Sequence, residues 1–378
     1  MIIPKESLSG EDVRRTVEEV LSKHLGLGGQ GYKCDGRLVI NVVVAAAIEA
    51  RTIESVCEDL EVGVESNTIR GYLKKHLDVG DLREQEMQMN LSLSECLPIG
   101  LPRLGCEMAI DCHDEPFYGR TPELRSYTCR GEAKEGTTHF YRIASWYVMW
   151  RQVRWTLAVT YVLPEDRTEG VVQRLLERMQ QLGLRPRVLY MDKGFCTGAV
   201  ITYLQQQCIP ALIACPIRGK KGGIRRLCHG KRAFTSAYPF TDGTPVRLAL
   251  LPTRVPDKTG KRHLKWIAYV VMHLDWSPAK CYQRYRRRFG IESSYRQLNQ
   301  VRARTTSANP ALRFLLLGLG FLLLNCWVSL RFATTRVLER GPARWVARLF
   351  QLPRFIAFLR RAIERTFGAR DEIPIYAF

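Results

Sequence analysis

Between residues 106 and 217 the chain passes through apolar runs of two kinds, and their order limits the possible fold more than any other feature. "CEMAID" is a short apolar strand that ends in a carboxylate. "HFYRIASWYVMW" and "VRWTLAVTYVL" are longer, rich in aromatic and β-branched residues, with only "RQ" between them. "PEDRTEGVVQRLLERMQQLGL" is an amphipathic helix with acidic residues in its first turn and Gly183 near its end. "RPRVLYMDKGF" is a strand that again ends in a carboxylate, "TGAVITYLQQQC" a helix, and "IPALIACPI" a buried strand. Three strands in meander followed by helix-linked strands predict an α/β mixed sheet with helices on its faces.

This order gives two aspartates a meaning. Asp111 and Asp192 each stand where an apolar strand is expected to stop, and the topology brings those two strand ends together. Neighbouring carboxylates there suit a divalent cation. Asp114 and Glu115 are rivals for the first position, but Asp111 directly follows the apolar run. A third carboxylate, Glu292, lies in "YRRRFGIESSYRQLNQVRARTT", where six arginines surround a single acid. A surface ion pair is the plain reading of such a residue. At about 100° per residue, however, Tyr285, Arg288, Glu292 and Asn299 fall within an arc of roughly 60°. Ile291, Tyr295 and Leu298 form the adjoining apolar stripe. A helix docked by that stripe would present Tyr, Arg and Glu to a phosphate and its metal, completing a cage suited to phosphoryl transfer.

The three segments together resemble the RNase H-like DDE transposases of insertion sequences. In the insertion sequence 4 superfamily the last Glu lies in a Y-(2)-R-(3)-E-(6)-K signature, matched here by Tyr285, Arg288 and Glu292, with Asn299 in place of Lys. Arg296 or Arg302 could take over that Lys role. "MDKGF" resembles the D-(R/K)-G-F element around the second Asp, and "AIDCHDEPFYG" an "IDxHDxPxYG" form of the first. The resemblance spans roughly 106 to 307 and implies an RNase H-like core using Asp111, Asp192 and Glu292 to hold Mg²⁺, two ions with Mn²⁺ as a substitute. It implies a DNA transposase that cleaves terminal inverted repeats and joins the 3′ ends to target DNA, acting as a homodimer. Alternatives are an RNase H-like nuclease without strand transfer and a domesticated DNA-binding protein.

The remaining segments extend that expectation. Residues 1–97 are expected to form a helical DNA-binding domain, with a helix-turn-helix-like unit over 52–77. Thr52 is its first N-cap, Ser66 or Asn67 its second, and Arg70, Lys74 and Lys75 face DNA. Residues 98–215 and 279–330 would form the catalytic core, 216–278 a basic β-rich insertion, and 331–378 a helical basic C-terminal region. The insertion opens with "RGKKGGIRRLCHGKR", which has no acid and offers Lys220, Lys221, Arg225 and Arg226 to phosphate. Trp276 is a candidate to stack on an unpaired base.

The net charge of +20 and pI near 9.7 fit a polyanionic partner. The twelve cysteines form no CxxC pair, which predicts reduced thiols in a cytosolic protein associated with the nucleoid when active. "FLLLGLGFLLLNCWVSL" is at the lower length limit for a membrane span. Its Asn325 and flanking arginines favour a helix buried in a soluble core, with no membrane partner.

Overall fold

The computed structural model describes residues 7–27, 34–97, 101, 104–150, 153–240, 242–257, 260–286, 297–337, 344–345 and 347–372. Five helices come first: α1 (Gly10–His24), α2 (Gly36–Ile48), α3 (Ile53–Asp59), α4 (Ser66–His76) and α5 (Leu82–Glu95). Ser9 and Asp12 close a capping box on α1, Asp35 caps α2 and Thr52 caps α3. At α4 the cap position is Glu65, whose side chain makes no cap hydrogen bond, so neither Ser66 nor Asn67 has the expected role.

The central segment supplies β1 (Leu104–Pro116), α6 (Pro122–Arg125), β2 (Cys129–Lys134), β3 (Thr137–Trp150), β4 (Val153–Val162), α7 (Thr168–Gln181), β5 (Arg185–Met191), α8 (Gly198–Gln206) and β6 (Ala211–Cys215). The insertion contributes β7 (Phe234–Pro239), β8 (Pro245–Pro256) and β9 (Arg262–Met272). Then come α9 (Pro278–Arg286), α10 (Pro310–Thr334), a ribbon of β10 (Arg336–Val337) and β11 (Arg344–Trp345), and α11 (Leu352–Phe367).

β1 to β9 form a single mixed sheet in the order β2-β3-β1-β5-β6-β9-β8-β7, with β4 also paired to β3. β3 runs antiparallel to β1, β5 and β6 run parallel to it in succession, and β9 returns antiparallel on β6. The insertion thus lengthens the catalytic sheet. Trp146 and Trp155 are fully buried, as their place in core strands predicts.

β4 lies on the outer side of β3, where its free backbone groups would invite another strand. Side chains from the helices occupy them. Asn325 on α10 accepts from Thr156 N–H at 3.1 Å and donates to the Thr156 carbonyl at 2.7 Å. Asn90 on α5 does the same at Val159, at 2.8 and 3.0 Å, and Glu86 accepts from Tyr161 N–H at 3.1 Å. Burial raises the carboxyl pKa of Glu86, while Arg83 and Thr160 oppose that shift. Asn325, the polar residue amid the leucines of the apolar run at 314–330, therefore pairs with a strand.

Helix α10 is long and apolar enough to cross a membrane by length and composition, but most of it is buried inside the fold. It packs on α5, α2 and β4, and α11 packs on α1 and α2. The helices of residues 1–97 consequently share one body with α10, α11 and the sheet. All twelve cysteines are free thiols, including Cys96 and Cys326, whose sulfurs lie 3.5 Å apart.

Candidate active site

Parallel pairing of β1 and β5 ends at Ile110 opposite Met191, so Asp111 and Asp192 are the next residues on adjacent strands. Such neighbours lie about 4.8 Å apart in backbone position. Alternation also gives them a common face. Ala109 and Tyr190 are partners two residues earlier, and both belong to a buried cluster with Tyr285. This is also the switch point of the sheet: the chain leaves β1 towards β3 and leaves β5 towards β6. Open α/β sheets bind their ligands at that place.

One expectation about Asp111 is corrected. β1 does not stop there but continues to Pro116, paired with β3 through Asp111 opposite Ser145 and Pro116 opposite Phe140. Asp192 does end its strand and occupies the cap position of a short 3₁₀ turn, Lys193–Phe195. The rivals of Asp111 are held in ion pairs. Asp114 receives two hydrogen bonds from Arg142, at 2.7 and 2.9 Å. Glu115 is buried, 2.9 Å from Arg302 and 3.5 Å from Arg313. Arg302 also lies 3.2 Å from His113 Nε2. Burial lowers the His113 pKa, Glu115 opposes and Arg302 reinforces that shift, so the neutral ring can accept from the guanidinium. Arg302 is thereby committed to the β1 strand.

Helix α9 packs on the face that carries Asp111 and Asp192. Its Arg284 donates to Glu107 on β1 at 3.0 Å, and the Tyr285 hydroxyl donates to the Met191 carbonyl at 3.2 Å. Tyr285 is only 4% exposed, and it fixes the helix to the strand end. Arg288, Glu292 and Arg296 lie outside the described residues. Asn299 is exposed in a turn, and Leu298 and Val301 beside it are buried. Arg70, Lys74 and Lys75 are exposed on α4. Lys220, Lys221, Arg225 and Arg226 are exposed after β6, although Arg225 also donates to the carbonyls of Ile217 and Gly219, both at 3.3 Å. Trp276 is half-buried against the α9 cluster, with Lys280 5.4 Å from its ring centroid.

Both aspartates line a cleft of about 1190 Å³ at this sheet edge. Among the described residues no three His, Cys, Asp or Glu side chains group closely enough to hold a metal. Two hard carboxylates side by side suit a divalent cation once a third oxygen donor joins them, and Glu292 is the expected donor.

Residues 159–326 match the family model for the transposase DDE domain, a span that includes Asp192 and Glu292 but not Asp111. The matched span is a transposase DDE domain. No curated protein matches the chain in sequence. Among solved structures it is similar to the piggyBac transposase in a synaptic complex with hairpin DNA, at TM-score 0.55 and 11% identity, covering 94% of this chain and 76% of that one. At that identity the likeness is one of fold, and it supports an RNase H-like core. DDE transposase domains use divalent metal ions.

Sequence reasoning missed the Glu115–Arg302 pair, although "HDE" and "RAR" were both visible. It also missed the role of Arg142, whose only sequence signal is a lone cation in an apolar strand.

Proposed function

We propose that this transposase cleaves the terminal inverted repeats of a mobile element of the insertion sequence 4 type and joins the freed 3′ ends to target DNA. The carrying observation is the shared register of Asp111 and Asp192 beneath α9, whose chain leads towards Arg288 and Glu292. Asp111, Asp192 and Glu292 would hold two Mg²⁺ ions, replaceable by Mn²⁺, which when bound supply Lewis-acid stabilisation of charge at phosphorus.

In cleavage a water oxygen bonds to phosphorus and the element's 3′ oxygen leaves, taking a proton. In joining, that 3′ oxygen bonds to a target phosphorus, loses its proton to solvent, and displaces the target's own 3′ oxygen. Each step exchanges one P–O bond for another, so one site serves both. The chain's own side chains bind and orient. Arg288, Arg296 and Asn299 lie close in sequence to Glu292 and would hold phosphates at the cleaved end. Arg70, Lys74 and Lys75 on α4 would read the terminal repeat. Lys220, Lys221, Arg225 and Arg226 would track the backbone. Two ends joined together imply a homodimer on DNA, in the cytosol at the nucleoid.

The test is joining of pre-cleaved, labelled terminal-repeat duplexes to plasmid DNA in the presence of Mg²⁺. Cleavage without joining would reduce the reading to a nuclease.

A further inference from the structure

The cleft at the sheet edge contains more charge than the metal site requires, and its ion pairs sort that charge. Two of its acids are already neutralised. Asp114 is held by Arg142, and Asp166 accepts from Arg174 at 2.9 Å and from Arg83 at 3.0 Å. Three of its cations are not. Arg130 on β2, Lys193 after β5 and Arg218 after β6 are exposed, and among the described residues none has a side-chain hydrogen bond or ion pair. They approach the aspartates from both sides, Arg130 from the β2–β3 hairpin and Arg218 from the loop after β6. Lys134, in the same wall, is 3.5 Å from Glu135, a pair too exposed to hold it.

The geometry points to this cleft as the seat of the target strand, with Arg130 and Arg218 as its phosphate contacts. The inference rests on the transposase reading and assigns a second nucleic-acid path to the same site. A target of arbitrary sequence has to be held by its phosphates, because base-edge contacts would restrict where joining occurs. Unpaired guanidinium groups on opposite walls meet that need. Arg142 and Asp114 are occupied by each other and Asp166 by Arg174 and Arg83, which leaves few groups to read bases. Of the residues assigned to the element's end, Arg70, Lys74 and Lys75 lie elsewhere, on α4, and Arg288 and Arg296 follow α9 in sequence.

The experiment compares the parent with the Arg130→Ala/Arg218→Ala double variant in three arms: affinity for a terminal-repeat duplex, cleavage of that end, and joining of pre-cleaved ends to plasmid DNA. The ratio of joining to cleavage is expected to fall at least ten-fold, through a higher target concentration at half-maximal joining. The log–log salt dependence of that concentration should flatten by about two, one for each lost phosphate contact. The Arg130→Lys/Arg218→Lys variant should recover most of the loss, which a merely structural role would not predict. An unchanged ratio, with cleavage and joining falling together or neither falling, overturns the proposal and assigns these cations to the element's own DNA or to none. A parent protein that cleaves ends but never joins them overturns the transposase reading itself.

Discussion

The Tyr285 hydroxyl donates to the carbonyl of Met191, the residue immediately before Asp192. This hydrogen bond connects the helix that leads to Glu292 with the strand that presents the second aspartate. Tyr285→Phe keeps the ring in its cluster and removes that bond, at a cost of about 1 kcal/mol in stability. Cleavage should slow several-fold while affinity for the terminal repeat stays within two-fold. Single-turnover cleavage and a thermal melt check this, and a rate equal to the parent's would make the bond structurally incidental.

Replacing Asp111 or Asp192 by Ala, or Glu292 by Gln, should abolish metal-dependent cleavage and leave end binding within a few-fold. Removing a carboxylate even relieves repulsion of phosphate. Chelation by EDTA should mimic all three without unfolding the protein, as circular dichroism would show. An active Asp111→Ala variant would move the assignment off β1, since Asp114 and Glu115 are already tied into ion pairs.

Asn325→Leu should destabilise the fold by about 2–4 kcal/mol, because it strips partners from both the N–H and the carbonyl of Thr156. The substitution makes α10 more apolar. A membrane-spanning helix would be favoured by it, whereas a helix docked on a strand edge loses stability, and urea denaturation separates the two.

Two glycines of α10 should respond differently to alanine. A Cβ at Gly320 would lie 2.7 Å from Leu298 Cδ1 and 3.2 Å from the Val301 carbonyl, beside the turn that carries Asn299. A Cβ at Gly318 would meet the side chain of Met89, nearest at Cε and Sδ, an unbranched chain that can shift. Gly320→Ala should therefore cost about 1–3 kcal/mol and slow cleavage. Gly318→Ala should cost less than half of that, and comparison of Tm and cleavage rate decides.

The strand order was legible because aromatic and β-branched runs report half-buried pleated surface, whatever their partners are. The end of β1 was not, since "CHDEP" reads as a loop by polarity. Its backbone nevertheless pairs with β3, while its acids find arginines that are distant in sequence, Arg142 and Arg302. Helical spacing grouped Tyr285 with Arg288 and Glu292 but could not tell that the Tyr285 ring lies beneath the rim. Helix α1 was overlooked although Ser9 and Asp12 spell out its capping box. The Thr52 cap was legible because it is purely local. Asn325 looked like an interruption of an apolar run because its partner, Thr156, is a backbone group and leaves no mark in composition.

The side chains of Asn90, Glu86 and Asn325 stand in for a missing tenth strand along β4. Removing residues 1–97 to isolate a catalytic fragment would uncover that edge and leave an adhesive, aggregating sheet, so DNA reading is better dissected by Arg70→Ala and Lys74→Ala. The same attachment bears on how such an enzyme can diversify. A helical region bonded into the sheet, with the DNA-reading role proposed for it, is not exchanged between relatives as a cassette. On the proposed role of α4, new terminal sequences would be acquired by point changes on its exposed face, one contact at a time.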